Sequence, residues 1–226
     1  MTDFRPQGFR FLPPVVKNLL IINVIMFLLT EVLRNYGINL VQYFGLHYIS
    51  AERFFPTQYF TYLFMHANLT HIFFNMFALW MFGYTLENSW GSKRFLFYYL
   101  VCGVGAGLIQ NIVLAYEHWE FIQTYKHFPD FPQFMNRFVT IGASGSVFGI
   151  LLAFGMMFPN MRIYLYFLVP IKAKYFVIFY GCLELFLGFS RMGASNIAHF
   201  AHLGGMLFGF ILIMYWRKYH RRNDFY

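Results

Sequence analysis

Three stretches of the chain place imidazole, carboxamide and hydroxyl groups at spacings that suit nucleophilic chemistry. They are His66-Ala-Asn-Leu-Thr-His71-Ile-Phe-Phe-Asn75, Gly142-Ala-Ser144-Gly145, and the pair His199 and His202 in Ile197-Ala-His199-Phe-Ala-His202. A serine hydroxyl is a weak nucleophile alone and needs a neighbouring imidazole to accept its proton. Ser144 and His202 supply that pair. Acyl transfer also needs donors aimed at the developing oxyanion. His71 and Asn75, four apart on one helix face, together with the Ser144 N–H at a helix N-terminus, are the candidates. No Asp or Glu is expected at the depth of His202, with Glu184 assigned to the wrong half of its helix, so the pattern predicts a dyad and not a triad.

These groups lie in a very apolar chain. Of its 226 residues 59% are hydrophobic, 23% aromatic and only 12% charged. A soluble fold of that composition would carry large apolar patches, whereas a bilayer accepts them without penalty. Windows with few or no charges predict six spanning helices: Val15 to Leu33, Leu69 to Leu86, Phe95 to Ala115, Ser144 to Phe158, Tyr175 to Phe189 and Ile197 to Trp216. The expected fold is therefore an all-α, polytopic bundle forming one membrane domain over residues 1–226. The fourth window holds 15 residues, about 22 Å of helix against a hydrocarbon thickness of about 30 Å, so one end must stop inside the membrane.

Charge sets the expected orientation. With the N-terminus cytoplasmic, the inner segments hold Arg5, Arg10, Lys17, Lys93, Arg94, Arg162, Lys172, Lys174, Arg217, Lys218, Arg221 and Arg222, which is twelve of the seventeen Lys and Arg residues. The positive-inside rule then puts both termini in the cytoplasm. The second, fourth and sixth helices all run inward, and their polar first turns share one depth near the outer face. The net charge of +8 comes from residues scattered between apolar runs, so no nucleic-acid partner is expected. The run Trp216 to Arg222 reads as a headgroup anchor. Cys102 and Cys182 each sit in an apolar run, with no disulfide or thiolate chemistry implied. The first twenty residues lack a signal-peptide cleavage site and transit-peptide character, which favours a bacterial plasma membrane.

Small residues repeat where close helix packing needs them. Gly145-x-x-x-Gly149 and Gly205-x-x-x-Gly209 would let the fourth and sixth helices approach, and Gly103, Gly105 and Gly107 suit packing of the third. Taken together, Gly142-x-Ser144-Gly145-x-x-x-Gly149, Ala201-His202-x-x-Gly205-x-x-x-Gly209 and His71-x-x-x-Asn75 resemble the nucleophile, base and second-helix patterns of the rhomboid family of intramembrane serine proteases, across all six spans. The resemblance implies a serine endopeptidase with Ser144 as nucleophile and His202 as base. It also implies a transmembrane protein substrate carrying a small residue before the scissile bond, and no cofactor. By the same resemblance Phe148 packs on the catalytic imidazole, with a plain core aromatic as the alternative. One position departs: where the family carries Trp-Arg in the first outer loop, this chain has Thr57-Gln58.

Blander readings stand beside these. His199 and His66 read as structural hydrogen-bonding histidines, and Ser146 as a serine bonded back to its own helix. A metal site gathered from the four histidines is disfavoured, because no His-Glu-x-x-His occurs and no carboxylate accompanies the imidazoles. A non-catalytic relative or a transporter is the remaining alternative, with Glu184, an ionisable residue inside a span, as its best support, and a capped or snorkelled structural role for Glu184 as the equal alternative. The last outer loop, Ser190 to Asn196, is the candidate gate or else an ordinary connection. The physiological substrate and the oligomeric state are not legible.

Overall fold

The computed structural model describes residues 11–165, 169–190 and 197–219. Ten α-helices follow in chain order: α1 (Pro14–Arg34), α2 (Val41–Phe44), α3 (Gln58–Thr61), α4 (Leu69–Trp90), α5 (Ser92–Glu117), α6 (Trp119–Tyr125), α7 (Phe131–Met135), α8 (Ser144–Met157), α9 (Ala173–Ser190) and α10 (Ile197–Tyr219). Five of them, α1, α4, α5, α9 and α10, are long and apolar enough to cross a membrane. The remaining predicted span, the fourth, is α8, which has 14 residues, about 21 Å at the helical rise. Each predicted window falls within one of these helices to within a residue or two. The proposed gate lies, apart from Ser190, outside the described residues, as does the end of the basic tail from residue 220.

The helix ends follow from local chemistry. Pro14 opens α1 at a position where a missing N–H does no harm. No side chain of its own N-cap serves α1; instead Glu87, 2% exposed, accepts from the Val15 and Val16 N–H groups at 2.9 and 2.8 Å and from the Ser92 hydroxyl at 2.6 Å. Asn68 caps α4 by accepting the His71 N–H at 2.8 Å. At the α4–α5 corner Gly91 has φ +79°, a left-handed conformation that glycine adopts without strain.

The segments between α1 and α4 and between α5 and α8 are tied together by a short ladder. β1 (Leu46–His47) pairs antiparallel with β2 (Val139–Thr140), Leu46 opposite Thr140 and His47 opposite Val139. This fixes the strand that leads into α8. Gln58, 1% exposed, secures the same region: it accepts the His47 N–H at 3.2 Å and donates to the carbonyls of Arg53 at 2.7 Å and Tyr43 at 3.2 Å. The Thr57-Gln58 departure thus carries its own anchor. A second ladder, β3 (Arg162–Leu165) with β4 (Val169–Lys172), connects α8 to α9 and adds a hairpin that the all-helical reading lacked.

Helix α10 packs most extensively on α5 and α8. Glycines set the separation: a methyl group at Gly205 would overlap the Gly145 backbone, one at Gly145 would overlap Ala106, and one at Gly149 would meet Cys102. Tyr98 bridges the same helices, its hydroxyl donating to the Gly149 carbonyl at 2.8 Å. Ser146 also differs from its expected self-bond. Its hydroxyl donates across to the Tyr99 carbonyl of α5 at 2.8 Å, within reach because the same hydroxyl lies against Gly103 of that helix. Trp216, expected at the headgroups, is 8% exposed and packs edge-on to Trp90 beneath the Arg94 guanidinium. The outward faces carry Ile25, Phe73, Phe179, Phe186 and Ile211 in exposed positions, an apolar jacket suited to lipid.

Candidate active site

The first turns of α4, α8 and α10 meet at one end of the bundle. Gly142 makes the approach to α8 possible: its φ of +126° is closed to L side chains, and its N–H donates to the Tyr62 carbonyl at 2.9 Å. Two residues later Ser144 stands at the start of α8, where the first N–H groups of a helix have no partner within it. Its Oγ lies 2.8 Å from Nε2 of His202, on α10.

The imidazole is held on its other two sides. Phe148, one turn into α8, stacks on it with centroids 4.2 Å apart and planes 7° from parallel. Nδ1 lies 3.0 Å from Oε2 of Glu184, on α9. A carboxylate accepts only, so Nδ1 carries the ring proton and Nε2 presents its lone pair to the Ser144 hydroxyl. A carboxylate thus stands beside His202 where none was expected, and the placement of Glu184 in the wrong half of its helix is corrected. Helix α9 runs opposite to α10, so depth counts back from its end: Glu184 lies six residues from Ser190, about 9 Å, and His202 lies five residues from Ile197, about 7.5 Å. His199 joins the same carboxylate oxygen through Nδ1 at 2.7 Å, a hydrogen-bonding histidine as expected.

His71 lies on the opposite side of the serine. A methyl group built on Gly142 would come within 2.8 Å of His71 Nε2 and Cε1 and within 3.7 Å of Ser144 Oγ, so the His71 ring edge abuts the Gly142 approach. The Ala67 N–H donates to His71 Nδ1 at 3.3 Å. That leaves the ring proton on Nε2, the atom at the Gly142 edge, and makes it a donor pointing at the serine's surroundings. Asn75 spends one amide N–H on the His71 carbonyl at 2.9 Å and keeps its second for another acceptor. His66 differs from expectation: among the described residues neither buried ring nitrogen has a well-formed hydrogen bond, the Phe64 backbone being a weak partner, and the ring packs edge-on to His71 at 5.0 Å. Burial, and after it the His71 imidazole, pull the His66 ring down to about 4, so it is neutral at physiological pH.

The four histidines are not gathered at one point. His66 and His71 pair on one side of Ser144, while His199 and His202 meet Glu184 on the other, their ligand-type atoms all within 4.8 Å of one another. A carboxylate does accompany imidazoles here, against expectation, and the 2.7 and 3.0 Å separations are those of N–H donors to one oxygen. Both cysteines are free, Cys102 buried among the packing glycines and Cys182 exposed. Gln58 and Glu87 escaped the sequence reading, since their partners lie in distant segments. Glu184 had a usable signal in the depth count from its helix end.

A hydroxyl hydrogen-bonded to a correctly protonated imidazole, itself backed by a carboxylate, is an arrangement able to form a serine nucleophile. An apolar bundle with five helices long enough to cross a membrane, and with this cluster at the mouth of a shorter sixth, defines a membrane-embedded helical protein. The family model for the Rhomboid domain matches residues 55–219, and the chain belongs to the rhomboid family. It is 26% identical over 155 residues to Rhomboid protein 1, mitochondrial, of Saccharomyces cerevisiae, covering 69% of this chain and 40% of that protein. Two Bacillus subtilis proteins are similar as well. Rhomboid protease GluP is 32% identical over 146 residues, 65% of this chain and 23% of its own length. Putative rhomboid protease YdcA is 30% identical over 150 residues, 66% of this chain and 61% of its own length. In each case the matched part is less than two thirds of the relative.

Proposed function

We propose that the chain is an intramembrane serine endopeptidase, cleaving transmembrane segments of membrane proteins near the outer face of a bacterial plasma membrane. The observation that supports it most is the 2.8 Å hydrogen bond between Ser144 Oγ and His202 Nε2, borne by separate helices. A single-pass substrate docks beside the bundle and unwinds locally, because a helical backbone hides its carbonyls in internal bonds. His202 Nε2 takes the Ser144 proton as Oγ attacks the exposed carbonyl carbon. The oxyanion is received by the Ser144 N–H, His71 Nε2–H and the second Asn75 N–H. His202 then protonates the leaving amine, and water entering from the outer side hydrolyses the acyl-enzyme.

Purified enzyme should be labelled by a serine-directed fluorophosphonate and should cleave a model transmembrane substrate. Ser144→Ala abolishes both and His202→Ala abolishes cleavage, with thermal unfolding in detergent little changed, since neither side chain contributes much apolar burial. Cleavage by a purified Ser144→Ala enzyme overturns the assignment. A non-catalytic relative or a transporter would show no labelling of the wild type.

A further inference from the structure

Glu184 is 7% exposed in α9, within an apolar bundle where an unpartnered carboxylate is prohibitively costly. It is partnered in an unusual way. Both of its hydrogen bonds fall on a single oxygen, Oε2, and both come from imidazole Nδ1 atoms, His199 at 2.7 Å and His202 at 3.0 Å. The two histidines are three apart on α10, which puts them on one helix face. One of them is the base candidate, whose far nitrogen already touches Ser144.

The geometry points to Glu184 as a positioning residue that makes this site a Ser144–His202–Glu184 triad, with His199 holding the carboxylate in place. The inference rests on the serine protease reading above. Three consequences follow from the bonds. The Nδ1–H to Oε2 bond fixes the tautomer that leaves Nε2 free to accept. With Phe148 stacked on one face, it also fixes the plane of the ring. When Ser144 Oγ bonds to the substrate carbonyl carbon, its proton passes to His202 Nε2 and the Nδ1 proton stays where it is. The imidazolium so formed faces a full negative charge at hydrogen-bond distance, in a setting where water screens little. His199 occupies a second lone pair of the same oxygen and keeps the carboxylate from turning away, a task that a lone carboxylate on α9 would leave to packing.

The titratable groups facing His202 are Glu184 from α9, His199 from its own helix and His71 from α4. Substitution at Glu184 should therefore be read through the pH profile as well as the rate. Purified wild type, Glu184→Gln, Glu184→Asp and Ser144→Ala are compared for second-order labelling by a fluorophosphonate and for kcat and KM on a model transmembrane substrate, between pH 5 and 9, with thermal unfolding in detergent as the folding control. Glu184→Gln keeps size and a hydrogen-bonding oxygen but lacks the charge. It is expected to lower kcat and the labelling rate roughly 100- to 10 000-fold with KM within about threefold, as when the orienting acid of a serine triad is neutralised. The acid limb of its pH profile moves to lower pH, because the imidazolium has lost its counter-charge. Glu184→Asp, which keeps the charge on a shorter arm, recovers part of the rate that Glu184→Gln loses.

A folded Glu184→Gln enzyme with wild-type labelling rate and pH profile overturns the inference while leaving the protease reading intact. A wild type that is never labelled overturns the protease reading itself. A chelator arm separates the remaining use of the same three side chains: wild-type rates unchanged by a strong chelator and by added zinc are expected, whereas activity lost to chelator and restored by zinc would reassign Glu184, His199 and His202 as metal ligands.

Discussion

Glu87 and Glu184 are both carboxylates buried in an apolar bundle, 2% and 7% exposed, and they are used in opposite ways. Glu87 accepts from two backbone N–H groups of α1 and from the Ser92 hydroxyl. None of these donors titrates, and all belong to the scaffold. Among the described residues Glu184 accepts from two imidazoles alone, one of which meets a hydroxyl at a helix N-terminus. A buried charge in a membrane domain is therefore informative through its partners. Backbone donors mark Glu87 as a carboxylate that completes the fold, and on the inference above the titratable partners of Glu184 mark it as one that serves the reaction.

Replacing each glutamate and reading stability and labelling side by side should separate the two. Glu87→Ala leaves the Val15 and Val16 N–H groups without their acceptor at the start of α1. At about 1–3 kcal/mol for each orphaned buried donor, the expected loss is about 2–6 kcal/mol, read as a fall in the midpoint of thermal or denaturant unfolding in detergent. Fluorophosphonate labelling per folded molecule should stay within about twofold of wild type. A labelling rate that collapses in Glu87→Ala without loss of stability would break the contrast, since it would tie the α1 cap to the serine site.

Gly205 tests a position where scaffold and site coincide. A methyl there overlaps the Gly145 carbonyl, one residue from the nucleophile, and backbone cannot move aside as a flexible side chain can. Gly205→Ala should cost about 1–3 kcal/mol by overpacking. It should also slow labelling by about 100-fold, because α8 and α10 must separate and the 2.8 Å Ser144–His202 bond opens with them. Gly181→Ala is the control: its nearest neighbour would be the Met206 methyl at 3.4 Å, so labelling is retained. Wild-type labelling in Gly205→Ala would show that the two helices do not set the catalytic distance.

The helices and the Ser144–His202 pair were legible for one reason. Apolar windows give helix ends, helix ends give depth, and Ser144 and His202 sit close to the ends of theirs. The same count reaches Glu184 once α9 is measured from its outer end, so its omission came from helix direction and not from any missing signal. Glu87 and Gln58 were out of reach in a stronger sense. Glu87 meets Val15 and Val16 some seventy residues back along the chain, and Gln58 ties three carbonyl or N–H groups of an irregular loop. Neither pairing has a periodicity or a fixed spacing, and only the closed tertiary structure creates it. The failed expectation for His66 is of the same kind, since nothing in the sequence tells a bonded buried imidazole from an unbonded one.

His66 gives the smallest of the expected effects and the finest division between fold and chemistry. Among the described residues its buried ring has no well-formed hydrogen bond, and burial pulls it down to about 4, against about 6.5 for an unfolded histidine. Between these values the unfolded chain binds a proton that the folded chain refuses. The contribution to stability is therefore fully present above about pH 6.5 and is lost as pH falls towards 4. Unfolding midpoints in detergent should drop across that window, and His66→Phe, which keeps a ring in the space and removes the proton, should flatten part of the slope. The buried His47, also lowered by burial, contributes to the slope that stays. Because His66 touches the site only through the edge of the His71 ring, the labelling rate of His66→Phe at pH 7.5 should stay within about threefold of wild type. An unchanged pH slope would mean that the His66 ring is hydrated or bonded in the folded protein. A large loss of labelling would instead place His66 with Glu184, among the residues that serve the reaction.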